Sequence, residues 1–227
     1  DAVLVEVGEV VHSILSAGDD HSLALDVEVR LVEVGGVVEE HGTLARDLSI
    51  LVLGAGPIGL VTALLAADTA AEVAITARYP HQHLLALALG ANSVHVPGSP
   101  ELRAWARSNP IDVVIETVGG NADTLAEAVS IVRPGGTVVA LGLFTADVPI
   151  SARKLVNQEV RLIGSVLYGH ESGRSEFGDA VASLERHAGA LASLQTHSFP
   201  LEEVNEAFAH AANKRMGAIK VSIEVSP

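Results

Sequence analysis

Gly54, Gly56 and Gly59 stand in the spacing G-x-G-x-x-G within Ile50–Gly59, ILVLGAGPIG. That pattern can hold a pyrophosphate. Gly54 permits a sharp turn, Gly56 lets backbone approach the phosphates, and Gly59 lets a helix pack closely on a strand. The helix N-terminus then offers free N–H groups and the positive end of its dipole. An ordinary glycine turn, or the related turn of an S-adenosylmethionine methyltransferase, shares the spacing. In a dinucleotide site the residue ending the next strand, about 20 positions on, touches the adenosine ribose. An acid there accepts the 2′-hydroxyl of NAD. Here Thr76-Ala77-Arg78-Tyr79-Pro80-His81 contains no acid. Arg78 is a permanently charged fork suited to a 2′-phosphate. Tyr79 could add a hydroxyl or cover the adenine, and His81 could help bind phosphate. The expected cofactor is NADP(H), and the missing acid weighs against a methyltransferase. Arg78 as a plain solvated residue is the bland alternative.

These residues need strands and helices to position them. Ile50–Leu53 is a short apolar run and Leu60–Ala67 an apolar helical pattern. Strand signals follow at Glu72–Thr76, Ser93–Val96, Ile111–Glu116, Thr137–Leu141 and Arg161–Val166. Helical signals separate them. Pro80 fits the first helical position and Gly90 the end of that helix. Further helices are expected at 101–107, from Gly119-Gly120-Asn121 through Ala128, at 175–187 and at 201–213. Ile219–Val225 alternates as a last strand. Six strands alternating with helices predict an α/β fold, a doubly wound parallel Rossmann sheet in the order 3-2-1-4-5-6. Residues 1–48 differ, with β-like runs at Val3–Val7 and Val27–Val34 and a short helix at Val37–His41.

Composition narrows the class. Hydrophobic residues are 48% but aromatics only 3%, so the core must be aliphatic, as in a buried parallel sheet. A formal charge of −14 argues against nucleic acid or an anionic membrane as partner. The absence of cysteine excludes disulfides, thiolate metal sites and cysteine nucleophiles. It fits a reducing, cytoplasmic location, and no N-terminal signal pattern is present. The stretch Ile50–Ala67 has the length of a membrane span, but GAGPIG interrupts it, so a buried strand and helix are expected.

From Ser49 to the C-terminus the chain resembles the medium-chain dehydrogenase/reductases, the zinc alcohol dehydrogenase superfamily. The motifs are LVLGAGPIGL (51–60), ARYPHQ with LALGA (77–82, 87–91), DVVIETVGG (112–120), RPGGTVVALG (133–142), FPLEEVNEAF (199–208) and GAIKV (217–221). The resemblance implies roles. Gly54, Gly56, Pro57, Ile58 and Gly59 would face the pyrophosphate, and Arg78 and Tyr79 the 2′-phosphate. Thr117, Val118 and Gly119 would lie at the cofactor ribose. Leu141, Gly142 and Leu143 would hold the nicotinamide through backbone groups, and Lys220 would either reach the pyrophosphate or stand as an exposed strand lysine. It also implies a homodimer formed through the edge strand 161–168, whose apolar edge invites pairing.

The chain departs from this family ahead of Ser49. Residues 1–48 resemble a reduced GroES-like segment, completed by about residues 196–227, with 49–195 as the dinucleotide-binding domain. Gly8–Ser13 resembles the segment with a zinc-binding cysteine, whose position is Val11. Asp26-Val27-Glu28 resembles a second, with Val27 replacing a ligating histidine. Valine cannot coordinate metal, so no metal site is expected. A hydrogen-bond donor must then stabilise the developing alkoxide or enolate. Ser13 matches the family's proton-relay hydroxyl, His12 adjoins it, and Tyr168 follows the sixth strand; all three also have bland readings as surface or packing residues. The expected activity is a zinc-independent NADP(H) oxidoreductase acting on a small alcohol, carbonyl or activated alkene. The alternative is a pseudo-dehydrogenase with a non-redox catalytic, ligand-binding or regulatory role.

Overall fold

The computed structural model describes residues 48–165, 170–171 and 174–225, with the side chains of 170–180 and 182 excepted. His12, Ser13 and Tyr168, the positions Val11 and Val27, and the elements expected before Leu48 all lie outside the described residues.

Six strands form one parallel sheet. They are β1 (Ser49–Leu53), β2 (Glu72–Thr76), β3 (Ser93–His95), β4 (Val113–Glu116), β5 (Thr137–Ala140) and β6 (Arg161–Gly164). Their order is β3-β2-β1-β4-β5-β6, as the sequence pattern predicts. Every neighbouring pair is parallel, with Leu51 opposite Ala74 on one side and Val114 on the other. The crossovers carry α1 (Pro57–Ala67), α2 (Pro80–Ala88), α3 (Pro100–Ser108), α4 (Thr124–Ile131) and α5 (Ala152–Asn157).

Strand side chains alternate between faces, and here both faces are apolar. Ile50, Val52, Val73, Ile75, Val113, Ile115 and Val139 join one cluster with the buried residues of α1 and α2. Leu51, Leu53, Ala74, Val114 and Val138 join the opposite cluster with α3 and α4. Because α1 is buried almost all round, from Gly59 to Ala66, it lacks an amphipathic stripe and is apolar on every side. By contrast α3 is a surface helix that buries Leu102 and Ala106. Ser99 Oγ caps it by accepting from Leu102 N at 3.1 Å, and Pro100 occupies its first turn.

The N-terminal end of the sheet is held by Asp112. Its carboxylate accepts from Ser49 N at 2.8 Å and from Arg133 Nε at 2.6 Å. At the far edge, β6 runs from Arg161 to Gly164, and the expected Val166 lies outside the described residues. Its partner β5 ends at Ala140, whose carbonyl accepts from Ser165 N at 3.1 Å.

The chain continues through β7 (His170–Glu171), β8 (Arg174–Ser175), α6 (Glu176–Ala192), β9 (Gln195–Pro200), α7 (Val204–Ala212) and β10 (Lys220–Glu224). β9 and β10 form a separate parallel pair. Leu194 and Ile219, at its base, are buried in the cluster around α1 and α2, which anchors this unit to the main sheet. Among the described residues no helix is long and apolar enough to cross a membrane.

Candidate functional site

The expected binding residues converge at the C-terminal ends of β1, β2, β4 and β5. This is where strand order reverses around β1, the position at which open α/β sheets leave a crevice.

Each glycine of the first turn meets a different demand. Gly54 has φ +106°, the left-handed region that favours glycine, and its N–H donates to Thr76 Oγ1 at the end of β2, 2.9 Å away. A Cβ on Gly59 would overlap the Gly54 carbonyl, so the helix touches the strand's exit. Thr117, after β4, donates its hydroxyl to Leu53 O at 2.9 Å and braces the turn from the other side. Gly56 is different: a Cβ there would meet nothing within 4 Å. It faces open space at the N-terminus of α1, where Pro57 occupies the first turn and no side chain caps the helix. An uncapped helix start beside an open glycine suits an anionic group.

At the end of β2, Ala77 is buried and Arg78 exposed. Among the described residues the Arg78 guanidinium has no ion-pair partner. Gln82 Oε1 accepts from both Arg78 N and Tyr79 N at 3.2 Å, fixing the backbone that presents these side chains. The Tyr79 and His81 rings stack with centroids 5.7 Å apart. Burial, and secondarily the charges of His197 and Lys214, hold the His81 imidazole below its ordinary value.

The loops after β4 and β5 face each other. Val118 and Leu143 are exposed, at 49% and 64%. Gly120 N donates to Leu143 O at 2.7 Å, and Gly119, at φ +61°, approaches so closely that a Cβ would lie 2.5 Å from that same oxygen. Leu141 is buried and Gly142 half-buried between the loops. Lys220 opens β10, outside this group, and its carbonyl accepts from Thr196 Oγ1 at 3.0 Å.

Sequence reasoning missed Glu116. It ends β4, is fully buried, and its Oε1 accepts from Val118 N at 2.8 Å, Gly119 N at 3.0 Å and Thr124 Oγ1 at 2.6 Å. A signal was present: an acid closing the apolar run DVVIE is a charge whose burial demands donors. Gln82 and Thr76 were missed as well, and no spacing rule marks them.

Among the described residues no group of three or more His, Asp or Glu side chains is placed to hold a metal ion. The dinucleotide fits better. An open glycine, an uncapped helix start and an exposed arginine in place of an acid are consistent with a phosphate-bearing nucleotide.

The chain is similar to several known proteins. The sequence model of a family described as zinc-binding dehydrogenases matches residues 57–186. An L-arabinitol 4-dehydrogenase from Aureobasidium melanogenum is 29% identical over 85% of this chain and 58% of its own length. A zinc-binding dehydrogenase from Sinorhizobium meliloti, solved with NADP bound, superposes with a TM-score of 0.69 at 24% identity, covering 92% of this chain and 58% of that one. An alcohol dehydrogenase from Escherichia coli, solved with NADH, gives a TM-score of 0.70 at 20% identity, over 90% and 59%. These two structures support the fold. The chain spans about half the length of the curated relatives it matches.

Proposed function

The chain belongs to the zinc-binding dehydrogenase family, and from that premise we propose that it is an NADP(H)-dependent oxidoreductase. It moves a hydride to or from a small alcohol, carbonyl or activated alkene, without zinc. The end of β2 carries the cofactor choice: Arg78 stands exposed where an NAD site has an acid. The cofactor would supply the hydride chemistry at its nicotinamide. The protein's part is binding and orientation. The Gly54–Gly59 turn and the α1 N-terminus would hold the pyrophosphate. Arg78 and Tyr79 would take the 2′-phosphate, Thr117–Gly119 the ribose, and the backbone of 141–143 the nicotinamide. Lys220 would add charge toward the pyrophosphate. Zinc independence rests on the sequence: the chain has no cysteine, and valines occupy positions 11 and 27. The proton donor would be Ser13, His12 or Tyr168.

The second reading, a pseudo-dehydrogenase that binds nucleotide for a non-redox role, is favoured by those valines at the expected metal positions. Fluorescence titration with NADPH and NADH, followed by a carbonyl screen at NADPH absorbance, separates the two. Tight NADPH binding with turnover supports the oxidoreductase. Tight binding without turnover across broad substrates supports the second reading. Failure to bind either nucleotide removes both.

A further inference from the structure

The crevice has a keystone that no expected contact with cofactor assigns. Glu116 lies at its floor, 0% exposed. One carboxylate oxygen takes three donors, the N–H groups of Val118 and Gly119 and the Thr124 hydroxyl. The other, Oε2, is buried with no hydrogen-bond partner among the described residues and faces Gly142, where a Cβ would overlap both it and Gly119 N. The backbone carbonyl of the same residue accepts from Leu141 N at 2.8 Å and Gly142 N at 3.2 Å. The side chain therefore fixes the loop after β4, and the main chain fixes the loop after β5. The Gly120–Leu143 bond ties the two together.

A buried carboxylate is stabilised only by donors, and a well-placed set of them makes its position rigid. Leaving one oxygen unpaired is a cost that a merely structural position would shed by becoming apolar, as every neighbouring β4 residue has done. We infer that Glu116 is a positioning residue: it sets the spacing of the 117–120 and 141–143 loops before any dinucleotide arrives, so the nicotinamide half of the crevice is preformed. This rests on the dinucleotide reading of the site.

Two measurements on the full chain test it. Amide hydrogen exchange without nucleotide should show Val118 and Gly119 protected in the wild type and in Glu116→Gln, whose amide oxygen still accepts, and unprotected in Glu116→Ala. Binding should then split by ligand. Glu116→Ala should weaken the preferred dinucleotide, NADPH or NADH, by about tenfold or more, because a preformed loop spacing becomes one of several. The matching half-ligand, 2′,5′-ADP or 5′-AMP, should bind as in the wild type, and Glu116→Gln should restore the dinucleotide. If Glu116→Ala fails to fold, Thr124→Val, which removes one of the three donors that hold the carboxylate, should give the same split in smaller measure. Equal loss of both ligands, no loss of either, or unprotected amides in the wild type overturns the inference. A wild type that binds neither dinucleotide overturns the cofactor reading instead, and the exchange data still decide whether Glu116 holds the loops.

Discussion

Gly56 and Gly59 are three residues apart and should respond oppositely to alanine. Gly59→Ala drives a methyl into the Gly54 carbonyl, an overpacking that should cost about 1–3 kcal/mol in denaturant unfolding. Gly56→Ala meets open space, so stability should fall by no more than about 1 kcal/mol, the scale of an N-cap change. Its loss should appear in nucleotide affinity, because the methyl occupies the surface a phosphate would approach. Arg78→Asp should weaken NADPH by at least about tenfold, ~1.4 kcal/mol, and NADH much less; equal effects in paired titrations would remove the 2′-phosphate assignment. His95 gives a pH signature. Its ring lies 4.4 Å from that of Trp105, and burial holds it below the ordinary value of 6.5, against the opposing pull of Glu72. The unfolded chain then takes a proton that the folded chain resists. The contribution is intact above about pH 6.5 and is lost as pH falls from there toward the lowered folded value. His95→Phe should flatten that part of the stability-versus-pH curve.

Elements differ in how plainly the sequence announces them. All six sheet strands are legible: β1, β2, β4 and β5 each bury a run of Val, Ile, Leu or Ala, and the edge strands β3 and β6, half-buried or exposed, still carry short apolar runs between turn residues. α5 and β9 are not. α5 is six residues long and buries none of them, and β9 runs exposed or half-buried throughout, so neither carries an apolar period. The site follows the same division. Gly54, Gly56, Gly59 and Arg78 are legible because turn geometry and charge act on neighbours in sequence. Thr76 acts across strands, and no local pattern records which amide its hydroxyl will meet; Glu116 bonds amides two and three residues on, and its one signal is the acid that closes the apolar run DVVIE. At α3 the local rule is tested directly: Ser99→Ala removes the acceptor for Leu102 N and should cost about 1 kcal/mol. Leu102→Ala, at a fully buried position of the same helix, should cost about 2–5 kcal/mol. Equal effects in thermal unfolding would show that the cap holds α3 as firmly as the packing does.

At the scale of the whole molecule, β3 and β6 end the sheet, and among the described residues no strand pairs with the outer side of β6. β6 lies at the end of the sheet with Leu162 37% exposed, and we propose that two copies pair along this edge as a homodimer. Sedimentation equilibrium should give twice 23.4 kDa, and Leu162→Lys should return the single mass. A wild-type mass of one subunit would remove the proposal. The centre of the sheet has a consequence of another kind. β1 is flanked by β2 and β4, and the glycine turn it carries is braced by a hydroxyl 64 residues later in the chain. A ribosome therefore releases the turn long before the residues that brace it. Until Val113–Thr117 emerge, the nascent chain carries the apolar strand β1 with one side open, a hazard that long-range parallel pairing imposes during synthesis. Arrested chains ending before Asp112 should accordingly be cut by protease within Ile50–Leu53, and chains extending well past Thr117 should be protected there.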